Sequence, residues 1–223
     1  MTVKQIQEWL CLHGFHIKID NKYGPATESA CIDFCQKHSL KFLGKDDMTF
    51  NLKLIEPIEK ANKKVLASNI RDALIKVAEN HLMQHPREVG GPNCGPWVRL
   101  YFNGKEGKAY PWCAIFATYC LEQTEKGGFK SWLSRNGSST SIYKKAKKLG
   151  KVLDKPEAGC LFLVKNTKGI PFKSHVHTGI VVSVGDGYIN TIEGNTNVGG
   201  SVNGDGVYAR RRALKDLDFI KID

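Results

Sequence analysis

The stretch Tyr110–Glu122, YPWCAIFATYCLE, sets a cysteine at the head of an apolar segment. Pro111 suits a helix start, and Ala114, Ala117, Cys120 and Leu121 recur at helical spacing, so a helix is predicted to begin within a residue or two of Cys113. A thiol in the first helical turn lies at the positive end of the helix dipole, beside unpaired backbone N–H groups. Both favour the thiolate, the form that attacks a carbonyl carbon. A cysteine nucleophile also needs a base and a polar group to hold that base. The segment SHVHTGIVVSVGDGYINTIEGNTN, residues 174–197, carries both. With Gly185, Asp186 and Gly187 as a three-residue loop, His177 falls opposite Asn195 and diagonal to Glu193, all on one face. A two-residue turn would slip the register by one and separate the histidine from both. His177 is then expected to take the thiol proton, with Glu193 or Asn195 hydrogen-bonding its other ring nitrogen. His175 shares this parity but lies beyond the predicted strand, and ranks second as base. Taken singly, a cysteine is more often a small core residue and a strand-end glutamate is more often solvated. It is the joint pattern, in the order Cys, His, acid, that points to acyl transfer.

The elements that must position these groups follow from periodicity. Val3, Ile6, Trp9 and Leu10 share one helical face that ends at Gly14. A polar turn at Asp20–Tyr23 precedes Gly24 and Pro25, and Thr27 is placed to cap a helix whose apolar side is Ala30, Cys31, Phe34 and Cys35. A third short helix is expected over Asn51–Ile58, and a charged linker over 61–68. Asn69 caps a further helix reaching about Met83. The glycines and prolines of PREVGGPNCGPW, residues 86–97, exclude regular structure and mark a shaped loop. A lysine-rich helix is read over Ile142–Leu149. After it the period changes to two, giving strands at Gly159–Val164, His177–Val184, Tyr188–Glu193, Val207–Arg211 and Asp218–Ile222. Helices first and antiparallel strands after is an α+β layout, divided into a small helical domain over 1–60 and a second domain over 69–223.

The 223 residues, 41% apolar and 25% charged, fit a globular protein and exclude a collagen-like or disordered one. No apolar run reaches the roughly 18 residues of a membrane span. MTVKQIQEWLCLHG lacks the apolar block of a secretory leader, which places synthesis in a cytoplasm. Seven cysteines, odd in number and without framework spacing, are expected to be reduced thiols. Cys31, Cys35 and His38 could share a helix side, as could His81 and His85, but no CxxC occurs, and no metal or other cofactor is expected. The net charge of +11 arises entirely after residue 62. It clusters at Lys144, Lys145, Lys147, Lys148 and Lys151 and at Arg210–Arg212. Such clusters suit a polyanion, or else a solvated helix face and a charge-blunted edge strand. Charge alone does not argue for specific nucleic-acid binding.

Two resemblances can be named on these residues. VKQIQEWL, then GF, DNKYGPAT and ACIDF resemble the helical peptidoglycan-binding domain attached to many wall hydrolases, over residues 3 to about 58. Asp20, Gly24 and Thr27 meet that family's turn pattern, with Asn21 where glycine is usual and Cys35 where glutamine is usual. VGGPNCGPW, PWCAIF, HTGIV and IEGN resemble the CHAP branch of NlpC/P60-type wall amidases and peptidases, over roughly 70–222. This second resemblance implies a papain-like fold with Cys113 as nucleophile, His177 as base, Glu193 as orienting acid and Asn195 as support. Some members bind calcium through aspartates before the cysteine. Gly95–Tyr110 holds only Glu106, so no calcium is expected.

Together the resemblances imply a peptidoglycan hydrolase cutting an amide in the peptide part of the wall, a monomer of the phage endolysin type that waits in the host cytoplasm until lysis. A wall-degrading toxin, a remodelling hydrolase and a non-catalytic wall-binding protein are the alternatives.

Overall fold

The computed structural model describes residues 1–199, 201 and 203–223. Among these the fold is α+β, with helices first and a six-stranded antiparallel sheet after them.

Helix α1, Val3–Leu12, opens with a capping box: Thr2 Oγ1 accepts from the Gln5 N–H and the Gln5 side chain accepts from the Thr2 N–H. Its Ile6, Trp9 and Leu10 are buried as their spacing requires. Gln7 on the same helix is buried and organises the turn that follows. Its Nε2 donates to Asp20, Lys22 O and Thr27 Oγ1, and its Oε1 accepts from the N–H groups of Asp20 and Asn21. Thr27 is therefore not the expected helix cap. Helix α2, Pro25–Lys37, starts two residues earlier because Pro25 at the first helical position presets φ, which leaves the Thr27 hydroxyl to Gln7. Helix α3, Met48–Ala61, also exceeds its predicted span. Asp47 caps it by accepting from the Phe50 N–H at 2.8 Å, and the buried Ala61 ends it. Residues 62–69 lead to α4, Ile70–Met83, capped by Asn69 as predicted.

The Gly/Pro segment is not wholly irregular, since Pro96 serves as the first residue of a short helix α5, Pro96–Tyr101. Helix α6, Cys113–Gln123, begins at the candidate nucleophile and is buried from Cys113 through Leu121. Helix α7, Ser139–Lys148, starts before its predicted span because Ser138 caps it. One buried core runs through the whole chain, from Ile6 to Ile222. At the junction of α1 and α5, Trp9 meets Trp97 edge-on at 6.0 Å, and the fully buried Glu8 carboxylate is gripped by both terminal nitrogens of Arg99.

The strands are β1 Val152–Leu153, β2 Leu161–Lys165, β3 His175–Gly185, β4 Tyr188–Thr196, β5 Gly206–Ala213 and β6 Leu217–Ile220. Their spatial order is β1-β6-β2-β3-β4-β5. Leu161, Leu163, Ile180, Ile192 and Val207 join the core shared with α4 and α6, while Phe162, Val181, Ile189 and Phe219 form a second cluster. The β3–β4 hairpin corrects the expected loop. Gly185 pairs with Tyr188, so the turn has two residues, Asp186 and Gly187. A bulge between Val181 and Ser183 then adds one residue to β3. Beyond it Val181 pairs with Thr191 and Ile180 with Ile192, the register that the three-residue loop would have produced. Strand β3 also starts at His175 rather than His177.

Candidate active site

Cys113 is the first residue of α6 and lies at the floor of a cleft of about 850 Å3, 6% exposed. The residue before it, Trp112, is fully buried and donates Nε1–H to Glu88 Oε1 at 2.8 Å. Glu88 Oε2 accepts from the Asn93 N–H at 2.8 Å. The Gly/Pro loop thus holds the helix head through a carboxylate. Burial pushes the Cys113 thiol up, but the facing His177 charge and the backbone of Thr178 and Ala114 more than offset this and hold it below the ordinary thiol value.

His177 has no exposed surface. Its Nε2 meets Glu193 Oε2 at 2.8 Å, and since Glu193 is ionised, that nitrogen carries a proton. Among the described residues Nδ1 meets no partner in ordinary hydrogen-bond geometry. Charge nevertheless couples the ring to sulfur. Burial pulls the His177 pKa down, while the Cys113 thiolate and the Glu193 carboxylate outweigh it and raise the value to about 9. Each charge thus favours the other, which shifts the pair toward thiolate and imidazolium.

Glu193 is buried, and burial alone would raise its pKa. Arg212 and His177 reverse that and hold it at about 2. Arg212 grips the carboxylate as a fork, Nε to Oε1 at 2.6 Å and Nη2 to Oε2 at 2.5 Å, and Thr191 Oγ1 donates to Oε1 at 2.6 Å. The line Cys113, His177, Glu193, Arg212 thus alternates in charge. Its sheet members lie beside Phe162, which is 6.2 Å from the His177 ring and under the Arg212 guanidinium at 5.4 Å. Gly179 makes the approach possible, since a Cβ there would stand 2.7 Å from Phe162 and 2.8 Å from Glu193 Cγ.

Of the two groups expected to hold His177, Glu193 makes the bond and Asn195 does not. Asn195 sits at an irregularity in β4 with φ +54, its Nδ2 donating to Asn203 Oδ1 at 3.5 Å and its carbonyl accepting from the Gly204 N–H. Its buried Oδ1 has no partner among the described residues. His175 lines the same cleft as Cys113, but both ring nitrogens are engaged, Nε2 with Asp218 Oδ2 at 2.9 Å and Nδ1 with Ser174 Oγ at 3.0 Å. It is not free to serve as the base.

Sequence reasoning missed Arg212, Thr191 and Glu88. Arg212 stood in a run of three arginines read as edge-strand charge. β5 is an edge strand, and Arg211 lies over Tyr188 at 4.3 Å. Which arginine turns inward depends on the β4–β5 register, which the run does not encode.

Among the described residues no group of three or more His, Cys, Asp or Glu side chains is placed to hold a metal ion. Glu106, the acid in the stretch before the cysteine, is committed to Lys4, Arg99 and the Gly95 N–H. No helix among the described residues is long and apolar enough to cross a membrane.

No curated protein and no solved structure matches the chain. Residues 105–195 match the CHAP domain, a segment that contains Cys113, His177 and Glu193 and points to a peptidoglycan-degrading, cysteine-dependent amidase or peptidase.

Proposed function

We infer that the protein hydrolyses an amide bond of peptidoglycan through a thioester on Cys113. The observation that carries this reading is the buried Cys113–His177–Glu193 line at the head of α6, within the CHAP match. The thiolate attacks the amide carbonyl carbon, and backbone N–H groups at the helix head receive the developing oxyanion. The imidazolium of His177 protonates the departing amine as the C–N bond breaks, leaving a thioester. His177, now neutral, takes a proton from water as the water oxygen attacks the thioester, and release of the acid restores the thiolate and imidazolium. Glu193 acts through His177, holding the ring and its charge. Arg212 and Thr191 act through Glu193. Asn195 supports the strand that carries Glu193.

The three N-terminal helices are the wall-binding unit in this reading, with the turn built by Gln7, Asp20, Gly24 and Thr27 as its characteristic feature. The whole acts as a monomer. The finer identity, a phage endolysin held in the host cytoplasm until lysis, is supported by the pairing of two wall-directed segments and by the +11 charge, which favours an anionic envelope. Genomic neighbourhood separates it from a bacterial toxin or remodelling hydrolase. Purified protein is expected to clear a peptidoglycan suspension and Cys113→Ala to leave it turbid. Clearing by the variant would end the thiol mechanism.

A further inference from the structure

Four charges outside the acyl-transfer machinery close a ring between α1 and the segment that leads to Cys113. Lys4 and Glu8 stand one turn apart on α1, with Lys4 Nζ 3.5 Å from Glu8 Oε1. Arg99 of α5 grips the Glu8 carboxylate with both terminal nitrogens, and its Nη1 also donates to Glu106 Oε2 at 2.6 Å. Lys4 Nζ completes the ring by donating to Glu106 Oε1 at 3.1 Å. Positive and negative members alternate, two of each. Glu8 has no exposed surface, and a buried charge left without its partner is costly, so each member depends on the others. Burial pushes the Glu106 carboxyl up, but the Gly95 N–H, Lys4 and Arg99 more than reverse this and hold it below the ordinary carboxylate value.

Short links join this ring to the head of α6. The Gly95 N–H donates to Glu106 Oε2 at 2.8 Å. Gly95, at φ +113, is pressed so closely on Val89 that a Cβ there would stand 2.9 Å from Val89 Cγ1 and 3.1 Å from its nitrogen. The residue before Val89 is Glu88, which receives the Trp112 indole and the Asn93 N–H. From the other side Gly107, next to Glu106, donates its N–H to the Asn93 carbonyl at 2.7 Å. Asn93 lines the cleft together with Cys113, and Trp112 is the residue before that cysteine. The helical unit also lies directly against this loop, since a Cβ on Gly90 would be 3.8 Å from Glu8 Oε1 and 3.8 Å from Ile19 Cδ1.

Resting on the thiol mechanism above, we propose that Lys4 and Glu8 are positioning residues for Cys113, acting through Arg99, Glu106 and the loop 88–95. Helix α1 is then part of the catalytic apparatus and not only of a wall-binding unit. With the ring intact, the loop holds Trp112, and with it the first turn of α6, where the sulfur faces His177. With a member missing, the remaining charges turn toward water, the Gly95 corner relaxes and the thiol loses its alignment with the imidazole. The four charges lie outside the residues that line the cleft, so the loss falls on rate and not on substrate binding.

The test uses the whole protein and measures the rate of Cys113 alkylation by iodoacetamide against pH, beside kcat and KM on soluble peptidoglycan fragments, which need no anchoring to an insoluble wall. Glu8→Gln is expected to lower kcat about tenfold with KM changed less than about twofold, to slow Cys113 alkylation at pH 7 about tenfold, and to move the alkylation profile to higher pH. Lys4→Gln, at a side chain 45% exposed, should fold as the wild type does and lower both rates about threefold, and Lys4→Arg should restore them. A folded Glu8→Gln protein with wild-type kcat and alkylation profile overturns the proposal, whether its loss is confined to clearing of insoluble wall or to melting temperature. If that variant does not fold, the two Lys4 variants decide by the same measure. Absence of hydrolysis by the wild-type protein overturns the peptidoglycan reading, while the alkylation profiles still decide the positioning role.

Discussion

Arg212→Gln isolates the most specific feature of the site, the fork on Glu193. The substitution keeps polarity but shortens the side chain and removes the charge and both parallel hydrogen bonds, leaving a fully buried carboxylate with only Thr191 and His177. Breaking a buried ion pair from one side costs about 3–5 kcal/mol, and because the Arg212 side chain is 18% exposed the lower figure applies. At about 2–4 °C per kcal/mol for a chain of this size, the melting temperature should fall by about 6–12 °C. The carboxylate should titrate well above its present value of about 2. The sign follows from linkage. A depressed carboxylate contributes stability that is full above its ordinary value of 4.5 and is lost as pH falls through about 2, so in the variant acid unfolding begins at higher pH. Activity should drop about 10- to 100-fold as His177 loses its anchor, short of the roughly 10,000-fold expected when an orienting acid is lost outright. Arg212→Lys restores charge without the fork and should recover only part of the loss. The assays are peptidoglycan clearing against pH and thermal unfolding. A glutamine variant with wild-type kcat/KM, pH profile and melting temperature would refute the account.

Brief alkylation with iodoacetamide at pH 7 should modify Cys113 first, because the other six thiols are held above their ordinary value, Cys31 and Cys160 at about 11; peptide mapping that finds Cys94 or Cys11 labelled faster would contradict the thiolate. The pH profile of kcat/KM should hold to about 9 and then fall as His177 loses its charge, and the stability which that charge contributes, full below 6.5, should disappear over the same rise. A descending limb near 6.5 would contradict the ion pair. Gly179→Ala should lower both melting temperature and activity, since the new methyl would meet Phe162 and Glu193 below 3 Å and the Ile192 carbonyl at 3.0 Å. Wild-type activity in that variant would show that Glu193 has room to move.

Local patterns determined much of this protein in one dimension. The proline and apolar repeat around Cys113 placed a helix start at that residue, Asn69 capped α4, and the change from a helical to a two-residue period located the strands, because caps and periodicity act within a few residues. What lay beyond local reach was decided by packing. A two-residue turn at Asp186 and Gly187 would by itself have slipped the register, and only the bulge near Val182, a compromise among strands already packed on α4 and α6, restored it. Whether Glu193 or Asn195 would meet His177 depended on that register and on the left-handed kink at Asn195. Arg212 became the counter-charge of the site only when β5 paired beside β4, bringing together residues 19 positions apart across a ladder that no short-range pattern specifies. Sequence separation hides such contacts because a buried charge must find its partner in space, and that partner exists only after the sheet has closed around it.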